Sequence, residues 1–165
     1  MRRLLILATL LLAACGFHLR GQGPNPVFAF PSAYVTGAGG TAQQLKELLR
    51  VLPQVTLLDA ASPAAVQIDV VLETNRQQVL TINGAGRVSE YRIIYTVNYR
   101  VRRDKDTLID DGHLSLFRDY SYDENNPLGK DAEAALLIKD MQRDAALQIL
   151  RRITAVATHP DAQQP

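Results

Sequence analysis

The chain has 165 residues, 47% of them hydrophobic, and a formal net charge of +1. That balance excludes the strongly basic domain that nucleic-acid binding usually requires, and the lack of repeats or low-complexity blocks excludes fibrous and disordered classes. A single cysteine excludes an intramolecular disulfide and a thiolate-rich metal site.

Met1-Arg2-Arg3, the apolar run Leu4–Leu12 and Ala13-Ala14-Cys15 together read as an export signal over residues 1–14. The run is well short of the roughly 20 residues that span a bilayer. Leu12-Ala13-Ala14-Cys15 also has the pattern of a bacterial lipobox, so we expect cleavage before Cys15 and lipid on its sulfur. Diacylglycerol and an N-acyl lipid on Cys15 are the expected covalent groups, with no other cofactor. Residues 15–26 carry three glycines and two prolines and read as an extended tether.

Residues 27–158 read as one globular domain. Val27–Val35 is apolar and aromatic but contains Pro31, which suggests an edge strand. Thr41-Ala42-Gln43-Gln44, after a glycine turn, is a capping-box pattern with Thr41 as the cap and Gln44 reaching back. Leu45, Leu48, Leu49 and Leu52 then recur at helical spacing, and Pro53 ends that helix.

Val55–Leu58 is a short strand candidate. Val66, Ile68, Val70 and Leu72 alternate with polar residues and predict a strand with one buried face. The clearest strand is Tyr91–Val101, with Tyr91, Ile93, Tyr95, Val97, Tyr99 and Val101 on one side. Asp104-Lys105-Asp106 turns the chain into a strand over Thr107–Tyr120, bulged near Asp110-Asp111-Gly112. Asn125-Asn126-Pro127 breaks the sheet and can begin a helix, with the proline suited to its first turn, and Asp131–Ala157 is helical with a stripe that includes Ala134, Met141, Ile149 and Ile153. Residues 159–165 read as a frayed tail. The sum is an α/β (α+β) two-layer sandwich, two helices packed on a roughly four-stranded sheet.

No catalytic constellation assembles from the sequence. His18, His113 and His159 fall in the tether, a strand and the tail, none with metal-site spacing, so no metal is expected. Asp110, Asp111 and His113 could be imagined as a hydrolytic group, but a solvated strand bend explains them better. Gly84-Ala85-Gly86 lacks a following helix and the phosphate-loop lysine, and reads as a hairpin tip. Two binding candidates remain: the arginines of one hairpin (Arg87, Arg92, Arg100, Arg102, Arg103), and Lys130 at the mouth of the last helix, close to Arg118. Guanidinium and ammonium groups suit phosphates. The competing reading is a solvated face whose arginines pair with Asp104, Asp106 and Asp119.

Three stretches resemble the LptE family of lipopolysaccharide-assembly lipoproteins of Gram-negative outer membranes. They are Cys15-Gly16-Phe17-His18-Leu19-Arg20, Ser89-Glu90-Tyr91 through Thr96-Val97-Asn98, and Asn126-Pro127 through Ile138-Lys139-Asp140-Met141. The resemblance implies a non-enzymatic domain with two helices against a four-stranded sheet. It would be held by lipid at the inner leaflet of the outer membrane, since Gly16 stands where aspartate would favour inner-membrane retention. It would plug the lumen of the barrel LptD, help that barrel assemble, and contact lipopolysaccharide. The family's basic residue after the Asn-Pro loop corresponds to Lys130; Arg87 is the nearest match to the second, displaced by a few positions. The alternative is a free periplasmic-face lipoprotein that binds lipid or peptide in a groove between helices and sheet.

Overall fold

A computed structural model describes residues 28–158. The expected signal, Cys15, the tether, His18, His159 and the C-terminal tail lie outside the described residues. The elements are β1 (Ser32–Thr36), α1 (Gly40–Arg50), β2 (Thr56–Leu58), β3 (Val66–Ile82), β4 (Val88–Arg103), β5 (Asp106–Ser121) and α2 (Pro127–Thr158). They form two layers: both helices lie on one side of a single sheet ordered β2-β1-β3-β4-β5. β1 runs parallel to β2 and β3; the β3–β4 and β4–β5 pairs are antiparallel.

The sheet therefore has five strands rather than about four, and β1 is not at its edge. Pro31 costs no ladder bond because it stands just before β1, where its carbonyl accepts the Thr56 N–H at 2.9 Å. β2 uses that side of β1 and becomes the edge. Phe28 and Phe30 precede the strand as a buried edge-to-face pair, 5.7 Å between centroids.

β4 has the register its alternation predicts. Ile93, Tyr95, Val97, Tyr99 and Val101 are all buried, facing α1 and α2 among Leu45, Leu49, Met141, Ile149 and Ile153. The expected bulge in β5 is present: Tyr99 pairs with Gly112, but Val101 pairs with Ile109. Gly112 is required there, because an added Cβ would lie 2.6 Å from the Tyr99 ring.

β3 departs from the expectation in phase and in length. A register shift between Val70 and Leu72 reverses the alternation, so Leu72 turns outward and is 51% exposed while Glu73 turns toward the helices. The strand then continues to Ile82, paired with β4 throughout. β1 accompanies β3 only as far as Asp69. Beyond that point one side of β3 has no strand neighbour among the described residues, and Val71, Leu72, Val79, Leu80 and Ile82 are exposed along it.

The start of α1 also differs from the capping-box pattern. The helix begins at Gly40 with Gly39 as N-cap and no side-chain cap of its own. Glu73 of β3 supplies the cap instead, its carboxylate accepting the Gly40 and Thr41 N–H groups, each at 2.9 Å. Gly39 leaves room for it, since a Cβ there would sit 2.3 Å from the carboxylate. Thr41 is buried one position inside the helix and its hydroxyl pairs with the Tyr95 hydroxyl at 2.6 Å; Gln44 turns to Glu47. Burial pushes the Tyr95 phenol above its ordinary range, so it stays neutral.

α2 starts four residues earlier than the hydrophobic stripe alone suggests. Pro127 occupies its first turn and the Asn126 side chain accepts the Gly129 N–H at 3.2 Å. At 32 residues it is about 48 Å long, and it separates two ends of the molecule.

Candidate functional site

One end of the domain gathers the β3–β4 tip, the close of β5 and the first turns of α2. The tip is shaped by Asn83, whose side-chain oxygen accepts the Ala85 and Arg87 N–H groups, both at 3.0 Å. Gly86, at φ 78°, takes the left-handed conformation that closes the turn. Gly84-Ala85-Gly86 is thus the hairpin tip expected from the sequence. Across from it, the Tyr122 N–H donates to the Ser89 carbonyl at 2.8 Å, which brings the β5–α2 loop alongside the tip.

Arg87 and Lys130 both flank that loop. Arg87 is well exposed, and its guanidinium lies 3.3 Å from the Glu124 carboxylate. Lys130 is more enclosed, with its side chain 18% exposed; its ammonium donates to Glu133 at 2.8 Å and to the Ser121 hydroxyl at 3.1 Å. The structure therefore brings the two sequence candidates to one end of the fold, each already holding a carboxylate. An arriving phosphate would exchange with Glu124 or Glu133 rather than meet a bare cation. Opening an exposed pair such as Arg87–Glu124 costs at most about 1 kcal/mol.

The same end of the fold holds an aromatic cluster that the sequence reading did not single out. Tyr91 stacks on Tyr120 at 5.8 Å and meets Tyr122 edge-on at 5.1 Å. Burial is the main cause that raises the Tyr120 phenol, and the nearby acidic groups Asp131 and Glu133 add to it. The signal was present as three tyrosines near the ends of two strands that a hairpin makes antiparallel neighbours.

The remaining arginines follow the solvated-face reading, with partly different partners. Arg92 holds Asp119 bidentately at 2.7 and 2.8 Å, which lowers the Asp119 carboxyl and raises Arg92. Arg100 pairs with Asp110 and Arg102 with Asp69, not with Asp104 or Asp106. Arg103 lies over the Phe30 ring at 5.4 Å. Arg118 is drawn to Asp144, well along α2 from Lys130, so those two cations do not form a pair.

Asp110, Asp111 and His113 do not converge: Asp110 faces Arg100 and His113 shares a 2.8 Å hydrogen bond with Asn98. Among the described residues no His, Cys, Asp or Glu group could hold a metal ion, and no helix is long and apolar enough to cross a membrane.

The sheet face away from the helices carries Arg92, Thr96 and Asn98, with Ser115, Asp119 and Thr74 beside them in register. Ile94 and the 57% exposed Phe117 interrupt this polar surface.

The family model LptE, described as lipopolysaccharide-assembly, matches residues 27–153. An LPS-assembly lipoprotein LptE of Photorhabdus laumondii is 28% identical over 161 residues, covering 93% of this chain and 84% of its own. Its namesake in Pectobacterium atrosepticum is 25% identical over 152 residues, 91% and 82% of the two chains. The solution structure of an uncharacterized lipoprotein B from Nitrosomonas europaea superposes with a TM-score of 0.70 at 28% identity, over 87% of this chain and 93% of that one. The rare lipoprotein B of Shewanella oneidensis shares the fold, with a TM-score of 0.69 at 23% identity over 79% and 98%. With a match running from just before β1 through most of α2, the chain belongs to the LptE family of lipopolysaccharide-assembly proteins.

Proposed function

We propose that this protein is an outer-membrane lipoprotein, anchored by lipid on Cys15 at the periplasmic leaflet, that sits in the lumen of LptD. There it assists assembly of the barrel and works with it to insert lipopolysaccharide into the outer leaflet. Its part is binding and assembly rather than catalysis, in keeping with its family. The observation that carries the plug reading is the sheet face that no element of the described residues covers. A large barrel's lumen is polar, and β3, β4 and β5 present it with hydrogen-bonding and paired charged groups. The other reading, a lipid pocket between helices and sheet, has less support: Tyr95, Leu45, Leu49 and Met141 fill the centre of that layer, and the groove at its edge is lined by the polar His113, Gln148, Arg151 and Arg152 as well as by Tyr99, Leu114 and Ile149. Extraction of the tagged lipoprotein from native outer membranes is expected to yield it with a barrel protein in equal amounts. Recovery of the lipoprotein as a monomer would overturn the plug.

Lys130 and Arg87 are the residues we assign to lipopolysaccharide, with lipid A phosphates as their ligands. Lys130→Asp removes a charge-assisted hydrogen bond of about 1.5–3 kcal/mol and sets a second carboxylate beside Glu133. We expect lipopolysaccharide affinity to fall about tenfold or more, with the far-UV circular dichroism unchanged. Equal affinity in the variant would remove Lys130 from the site. Arg87→Ala, at an exposed and adaptable position, should cost less.

A further inference from the structure

At the end of the molecule opposite Lys130, a groove of about 350 Å³ runs between the C-terminus of α1 and the last turns of α2. Its walls are mostly apolar: Phe28, Leu48, Val51, Leu52, Leu147 and Leu150. Val51, just past α1, is 75% exposed on it. Phe28 is both a wall of this groove and the first described residue, so the preceding segment of chain arrives at its rim.

That segment is unusual in composition for a spacer. Among the glycines and prolines of residues 16–26 stand Phe17 and Leu19. Two positions apart, they share one face of an extended chain, with His18 and Arg20 on the other. Leu19 lies nine residues before Phe28, a reach of up to about 30 Å. That is ample for doubling back across the groove. The chain also leaves α2 near this groove, since Thr154 lines it, but residues 159–165 contain no large apolar side chain to fill it.

We propose that the Phe17–Leu19 segment of this same chain packs across the α1–α2 groove, with Phe17 and Leu19 against its leucines. The fit rests on the chain's path and side chains alone. Combined with lipid on Cys15, which is part of the function proposed above, it gives the domain a fixed orientation. The anchor would be held against the α1–α2 end, and Arg87 and Lys130 would point away from the anchoring leaflet. Residues 16–26 would then act as a clamp rather than a loose leash.

Photo-crosslinking of the full lipoprotein in native membranes tests this. Benzoylphenylalanine at position 19 is expected to give intrachain crosslinks to the peptides carrying Leu48–Leu52 and Leu147–Leu150, and at position 18 about tenfold fewer. Val51→Glu, at an exposed position, should suppress the position-19 crosslinks several-fold while the melting temperature of the domain holds. Equal crosslinking from both positions, or products only with acyl chains or with another polypeptide, would overturn the proposal and give the groove to lipid or to a partner. The barrel plays no part in the expected intrachain product, so loss of barrel association with these crosslinks intact would count against the plug alone.

Discussion

Ile93→Asp is expected to leave no cooperatively folded domain at 25 °C. Ile93 is fully buried at the centre of β4, in the layer closed by α1 and α2. Losing its packing costs about 2–5 kcal/mol, the range for truncating a buried isoleucine. An unpaired carboxylate in the same place adds several kcal/mol of desolvation. The total is on the order of the whole stability of a domain, roughly 5–15 kcal/mol. The informative control is one residue away. Ile94 faces the opposite side of the sheet, in register with Arg76 and Phe117. Ile94→Asp should cost at most about 1 kcal/mol, because the new carboxylate meets solvent and a guanidinium. Thermal melts followed by circular dichroism separate the two. Equal melting temperatures would mean that the strand register is wrong.

The second large effect is expected at Glu73. Its carboxylate closes the N-terminus of α1 from a strand that lies 33 residues later in the chain, as the Gly40 contact shows. Glu73→Ala would leave the Gly40 and Thr41 N–H groups without acceptors in a partly buried site. A lost cap alone costs about 0.5–2 kcal/mol, and each unsatisfied donor about 1–3 kcal/mol where water cannot replace the partner. We expect a net loss of about 2–3 kcal/mol, a fall of roughly 6–12 °C in melting temperature for a domain of this size. Glu73→Gln keeps one acceptor oxygen and should lose about half as much. Hydrogen exchange gives the sharper signature: amides in the first turn of α1 should exchange faster in Glu73→Ala while those of β4 change little. Uniform acceleration, or none, would mean that Glu73 does not act as the cap.

These two residues mark the boundary of what was legible in the sequence. Ile93 belongs to a strand whose alternation has one exception, Ile94, so period alone was enough to tell which side faces inward. Glu73 sits just past a bulge, and a period of two cannot anticipate the extra residue that turns Leu72 out and Glu73 in. The same blindness produced the expected cap at Thr41: a local motif competes with a partner supplied by tertiary structure, and the partner took the site. The far half of β3, with its run Asn75-Arg76-Gln77-Gln78, carried no alternation to detect. It is a strand because β4 needs a partner across the Gly84–Gly86 tip. Equal arm lengths about that tip were the available clue. At the candidate site, Lys130 was legible from its place after Asn126-Pro127, and its partner Glu133 from the three-residue spacing. Glu124 opposite Arg87 and the placing of Tyr122 against Tyr91 were not, because both depend on how the β5–α2 loop folds against the tip; the Tyr91–Tyr120 pair follows from the hairpin register.

The side of β3 that has no strand neighbour among the described residues bears on how the protein behaves at high concentration. From Val71 to Ile82 the strand offers backbone groups that no described strand pairs, beside exposed Val, Leu and Ile side chains, with neither a proline nor a lysine to obstruct pairing. Edges of this kind recruit other strands indiscriminately, including those of identical chains. Free copies of the domain at high concentration would therefore be prone to self-association through this edge. Covering this edge, by another strand or by dilution, is the condition that the strand sets for the domain to stay monodisperse.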